Sequence, residues 1–108
     1  MRRFASLRRR GDFARLRQRG RRIATRHLTL YLTDALPGDS MSLVGITVNK
    51  SIGKAVVRNK LRRRLAAIVD EALASLRAVR LVVTARPAAA DLAFAALRDE
   101  VAAALRRA

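Results

Sequence analysis

The chain has no cysteine, a single histidine and only 8 acidic residues among 108. Without cysteine there is no disulfide, no thiolate nucleophile and no cysteine-ligated metal, which fits a reducing compartment. A metal-dependent phosphodiesterase gathers several carboxylates around one or two cations. Here Asp70-Glu71 and Asp99-Glu100 fall in expected helix bodies with cationic neighbours, and no convergent arrangement is visible. Metal-free cleavage wants a paired general acid and base, commonly histidines, and His27 stands alone. No catalytic residue and no metal ligand is therefore expected. No apolar run of about twenty residues occurs, which argues against a membrane span. The arginine-rich amino terminus also lacks the apolar stretch of a signal peptide. The expectation is a soluble, cytoplasmic protein.

What is present is positive charge. Lys and Arg number 24, giving a net charge of +16. Such a field repels itself and attracts polyanions, so nucleic acid is the expected partner. Arginine outnumbers lysine 21 to 3, and its planar fork suits bidentate phosphate contacts and stacking on bases. The charge is unevenly placed. Residues 1–26 hold eleven Arg and one Asp, 27–49 hold no Lys or Arg, 50–64 hold seven basic residues and no acid, and 65–108 are nearly balanced.

A chain of this length forms one domain. Residues 1–10, with five Arg and few apolar anchors, read as a basic mobile arm that orders on a partner, leaving 11–108 as the folded unit. Asp12 is placed as the N-cap of a short helix carrying Phe13 and Leu16, which Gly20 ends in the left-handed conformation. From His27 to Thr33 the residues alternate, with Leu28, Leu30 and Leu32 inward and His27, Thr29, Tyr31 and Thr33 outward. After a turn at Pro37–Ser40, Val44, Ile46 and Val48 give a second core face, and hairpin-type pairing of the two strands is expected. Apolar residues at 57, 61, 65, 68, 69, 72, 73 and 76 predict the longest helix, from about Ala55 to Leu76. A short strand, Arg80 to Ala85, follows, and Asp91 is placed as the cap of a last helix. The order predicts an α+β sandwich with helices packed on a small sheet.

The most informative stretch is Asn49 to Arg64, NKSIGKAVVRNKLRRR. Arg58 with Arg62, and Lys60 with Arg64, are like-charge pairs one turn apart near a helix amino terminus, where the dipole already disfavours cations. An anionic partner would offset that. At about 100° per residue, Arg58 and Arg62 fall on or beside the stripe of Leu61, Leu65, Val69 and Ala72. A charge run is usually a solvated face, but these arginines interrupt the apolar stripe, and Gly53 permits close backbone approach just before the helix.

Gly53 to Arg63, preceded by Val48-Asn49-Lys50, resembles the signature of the ribonuclease P protein family, in which an Arg-Asn-Arg/Lys core opens the central helix. Leu7 to Gly20, Arg26 to Tyr31 and Val82 to Pro87 resemble that family's first helix, first strand and last strand. The resemblance implies a two-layer sandwich of a small, mainly antiparallel sheet with three helices and a left-handed strand-helix-strand crossover. That fold is shared with the second domain of a small-subunit ribosomal protein. It implies partners too: the catalytic RNA and precursor tRNA, with no membrane and no DNA. The chain would be a non-catalytic subunit that assists removal of the 5′ leader, binding no cofactor itself while the holoenzyme requires Mg²⁺. On this reading Lys50, Lys54, Arg58, Asn59, Lys60, Arg62 and Arg63 contact the catalytic RNA. Phe13, Arg17 and Tyr31 line a cleft for the single-stranded leader, where aromatic faces stack with little sequence demand. The chain departs from the family pattern at Ser51, often a second Lys, and at Arg17, often a second aromatic.

Three other classes compete. A ribosomal or ribosome-assembly protein shares the size and charge but not the arrangement at 53–63. A stand-alone nuclease is disfavoured by the poor stock of acids and histidine. A duplex-DNA reader would need a helix-turn-helix pair that is not evident, and a strand-borne tyrosine suits single strands better.

Overall fold

The computed structural model of the protein describes residues 2–108. Five strands, β1 (Phe4–Ser6), β2 (Arg21–Ala24), β3 (Leu28–Asp34), β4 (Ser42–Thr47) and β5 (Val79–Ala85), form one sheet in the order β1-β4-β5-β3-β2. Three helices, α1 (Arg10–Arg19), α2 (Ala55–Ala72) and α3 (Phe94–Arg106), complete the fold. The sheet is antiparallel on one side, where β3 pairs with β2 and β5, and parallel on the other, where β4 pairs with β1 and β5.

β3 and β4 do not form the expected hairpin, because β5 lies between them. The composition of β5 explains its central place. Val79, Leu81 and Val83 are buried on one face and Val82 on the other, the two-sided apolarity of a strand covered from both sides. β4 therefore continues through α2 into β5, a parallel crossover between adjacent strands.

The main core lies between the sheet and the pair α2–α3. Leu28, Leu30 and Leu32 of β3, Val44 of β4 and Leu81 and Val83 of β5 meet Leu61, Leu65, Ile68 and Val69 of α2 and Leu97, Val101 and Leu105 of α3. α1 lies on the opposite face and covers only part of it, packing Leu16 and Phe13 against Val82, Tyr31 and Leu43. The uncovered remainder of that face is where a ligand can reach the sheet.

The amino-terminal segment differs from the free arm expected for residues 1–10; of these, Met1 lies outside the described residues. Phe4 and Leu7 are buried, and β1 adds a parallel edge strand to β4. The two apolar side chains sufficed as anchors despite the surrounding arginines, and Arg3 is tied to Asp70 of α2 by its backbone N–H and its side chain.

The expected caps differ as well. α1 begins after Arg9 without a side-chain cap, and Asp12 sits in its first turn. Gly20 is extended, at φ −72° and ψ 159°; a Cβ there would collide with the Leu16 carbonyl and crowd the backbone of Leu32, so close approach to β3 is what the glycine serves. α3 begins after Ala93, and Asp91 ends a short 3-10 turn, Pro87–Asp91.

Asp12 instead joins an ion cluster that fastens α1 to the sheet. Arg80 of β5 donates to both Asp39 carboxylate oxygens, at 2.9 and 3.0 Å, and lies 3.3 Å from Asp12. The hydrogen bond from Arg80, joined by the Leu36 backbone N–H, holds the Asp39 carboxyl below its ordinary pKa of 3.8. A lowered carboxylate pKa contributes stability that is present above the unfolded value and is lost as pH falls through the folded one. Arg80→Met should therefore lower Tm at neutral pH and flatten the fall in stability below about pH 4. Thermal unfolding from pH 2 to 7 checks this, and parallel acid limbs for variant and parent would contradict it.

His27, expected on the same face as Tyr31, turns towards α3 instead. Its Nδ1 lies 2.8 Å from Glu100 Oε1, while its backbone N–H and the Thr25 hydroxyl donate to Glu100 Oε2. Burial pushes the Glu100 carboxyl up, but these donors together hold it below its ordinary value. His27 is thus a structural tie between the β2–β3 turn and the last helix.

Candidate nucleic-acid interface

The basic end of α2 is built by the chain leaving β4. A 3-10 turn at Lys50–Ile52 buries Ile52 as a pin. Gly53 then adopts φ 145°, a conformation open to glycine and costly for other residues. α2 starts at Ala55 with no side-chain cap and no acid in its first turn. Its orphan N–H groups and the positive end of its dipole thus stand among cations. Lys50, Lys54, Asn59, Lys60, Arg62 and Arg63 are exposed, and Arg58 is half-buried.

Two contacts pre-orient this surface. Arg58 Nε donates to the Gly53 carbonyl at 3.1 Å, which ties the guanidinium to the turn before the helix. Arg62 donates to Asn59 Oδ1 at 2.8 Å, which gives Asn59 a positioning role. Arg64 is drawn away to the Leu92 carbonyl and separates from the other six cations. Among the described residues these guanidinium and ammonium groups have no carboxylate partner, which leaves them able to meet an anion.

The second candidate region is the sheet face left open beside α1. Phe13 and Tyr31 are both half-buried there, packed against Leu7, Leu16 and Val82. The Phe13 ring lies directly on Gly45 of β4, where a Cβ would occupy the ring position. The glycine is thus the seat of the aromatic. Arg17 places its guanidinium 5.7 Å from the Phe13 ring centre and donates to Thr47 Oγ1 at 3.3 Å. The two regions adjoin, since Lys50 follows Thr47 by three residues.

Several residues here were not singled out by the sequence. Across the sheet Thr29, Thr84 and Thr47 are paired in one row. Arg86 donates to the Thr29 hydroxyl at 3.0 Å, Arg17 occupies Thr47, and the buried Thr84 Oγ1 has no partner among the described residues. An unpartnered buried hydroxyl is costly, and this one lies in the row between Thr29 and Thr47. Alternation from Val82 would have placed Thr84 on this face, but pairing partners cannot be read from one strand. Arg8 and Arg10 join Phe13, Ala14 and Arg17 around a depression of about 350 Å³.

Among the described residues no group of three or more His, Cys, Asp or Glu side chains is placed to hold a metal ion. Among the described residues no helix is long and apolar enough to cross a membrane.

Comparison with known proteins adds to this geometry. The family model for Ribonuclease P matches residues 1–108. The ribonuclease P protein component of Acidothermus cellulolyticus is 44% identical over 95 residues, covering 87% of this chain and 79% of that protein. The component from Bacillus velezensis is 37% identical over 83 residues, covering 77% and 71%. Among solved structures, the RNase P protein from Thermotoga maritima superposes with a TM-score of 0.82 at 25% identity, covering 96% of this chain and 97% of that one. The Staphylococcus aureus RNase P protein shares the fold, with a TM-score of 0.84 over 94% and 93%. With a match along its whole length and relatives at this level of identity, the chain belongs to the ribonuclease P protein family.

Proposed function

We propose that this chain is the protein subunit of a ribonuclease P holoenzyme in the cytoplasm. It binds the catalytic RNA and holds the 5′ leader of precursor tRNA while the leader is removed endonucleolytically. The observation that carries the reading is the adjacency of two unlike surfaces, in a chain of this family. Lys50, Lys54, Arg58, Asn59, Lys60, Arg62 and Arg63 offer charge to a folded RNA. Phe13, Arg17 and Tyr31 offer an aromatic and cationic cleft to a single strand. Tyr31 is the one hydroxyl among these residues, and they include no histidine or carboxylate to serve it as general base. Among the described residues no three His, Cys, Asp or Glu side chains are grouped as a Mg²⁺ site would need, and Asp12 and Asp39 are already engaged by Arg80. The Mg²⁺ that the reaction requires is assigned to the RNA, and the protein supplies charge neutralisation and substrate grip.

The ribosomal alternative finds no support, since the matched relatives are ribonuclease P protein components. The test is discrimination between substrate and product. Adding the protein to the catalytic RNA should tighten binding of precursor tRNA while leaving leaderless mature tRNA nearly unchanged. Equal tightening of both would remove the leader cleft from the account.

A further inference from the structure

β4 is left with an open edge where β1 stops. β1 pairs with β4 only at Ser42–Val44, the last rung is the Leu7 N–H to Val44 carbonyl bond at 2.9 Å, and β4 runs on to Thr47. Successive strand residues turn their backbone groups to opposite neighbours. Since the Val44 carbonyl faces β1, the N–H and carbonyl of Ile46 face the same side, and among the described residues nothing pairs with them across that edge. The edge opens into a cavity of about 330 Å³ whose walls include Arg2, Ser6, Phe13, Ile46, Arg62 and Arg63 and no acid. Two of the guanidinium groups are held in place, Arg2 over the Phe4 ring at 4.9 Å and Arg62 by Asn59.

We propose that this notch binds one unpaired nucleotide of the bound RNA, with Arg2, Arg62 and Arg63 at its phosphate and the free Ile46 amide edge at its base. A donor beside an acceptor complements the hydrogen-bonding edge of a base. An open strand edge ordinarily invites another strand, but three guanidinium groups without a carboxylate select a phosphodiester over a peptide. Phe13 borders both the notch and the depression beside Arg17. A strand can thus pass round the edge of β4 from the α2 surface to the sheet face. The inference rests on the RNA-binding reading above, and it gives Arg2 and Ser6 a binding role.

The test uses full-length protein carrying Arg2→Ala or Ser6→Tyr, both at exposed positions, with thermal unfolding to verify the fold. Affinities are measured for the catalytic RNA alone and, with the holoenzyme, for precursor and mature tRNA. Ser6→Tyr changes no charge and fills the notch, so it should weaken binding about fivefold or more, on the scale of one lost base contact. A loss confined to precursor tRNA assigns the nucleotide to the leader, and a loss with the catalytic RNA alone assigns it to that RNA. If both variants bind every RNA like the parent while Phe13→Ala and Arg58→Ala weaken binding, the notch is not a site and the wider reading stands. If all four variants bind like the parent, the wider reading fails too. Capture of an extended peptide by the notch with unchanged RNA affinity would likewise overturn the proposal.

Discussion

Replacing Arg58, Lys60, Arg62 and Arg63 together by alanine should weaken binding of the catalytic RNA by about 100-fold or more at moderate salt. Each cation contributes a charge-assisted contact whose net worth is on the order of 1 kcal/mol or above. The salt dependence is the sharper readout. A contact to phosphate adds about 0.7 to 0.9 to the slope of log affinity against log salt, so losing four contacts should reduce the slope by roughly three. Folding moves the other way. Arg58 and Arg62 are one turn apart on a helix whose first turn holds no acid, and relieving like-charge repulsion is worth a few tenths of a kcal/mol. A variant as stable as the parent with an unchanged salt slope would show that α2 is not the RNA-binding surface.

The second large effect is expected at the seat of Phe13. Stacking of a base on an aromatic ring is worth about 1–3 kcal/mol, so Phe13→Ala should weaken binding of leader-bearing precursor by roughly 5- to 150-fold. Affinity for the catalytic RNA alone should be retained. Gly45→Val leaves the aromatic in the sequence but places carbon where the ring lies. It should reproduce the leader defect and cost roughly 1–3 kcal/mol of stability through overpacking. Equilibrium unfolding and leader-dependent binding, measured on the same samples, separate the two contributions. Wild-type leader affinity in both variants would place the leader elsewhere.

How far the sequence could be read depended on the range of the interactions. The period-3.6 pattern of α2 and the alternation of β3 are local, and both elements form close to the expected bounds. The interruption of the stripe by Arg58 and Arg62 was also local and survives as the basic face. Pairing is not local. That β5 would separate β3 from β4 depended on which strand tolerates burial on both faces, and Val82 with its neighbours decided that. β1 was obscured because two anchors, Phe4 and Leu7, stand among five arginines. The Asp12 cap and the outward placing of His27 failed for a related reason: Asp12 is drawn to Arg80, distant in sequence, and His27 to Glu100. At the candidate site, Phe13 and Tyr31 were legible through a family resemblance and an alternation. Gly45, Thr84 and the open edge at Ile46 emerge only once three strands and a helix are placed together.

The central claim is that the protein grips RNA and the RNA performs the chemistry. The direct measurement is cleavage of a 5′-leader precursor tRNA at low Mg²⁺ under three conditions: catalytic RNA alone, protein alone, and both together. Cleavage should be slow with the RNA alone, absent with the protein alone and strongly stimulated when the two are combined; cleavage by the protein alone, or no stimulation by it, would contradict the account.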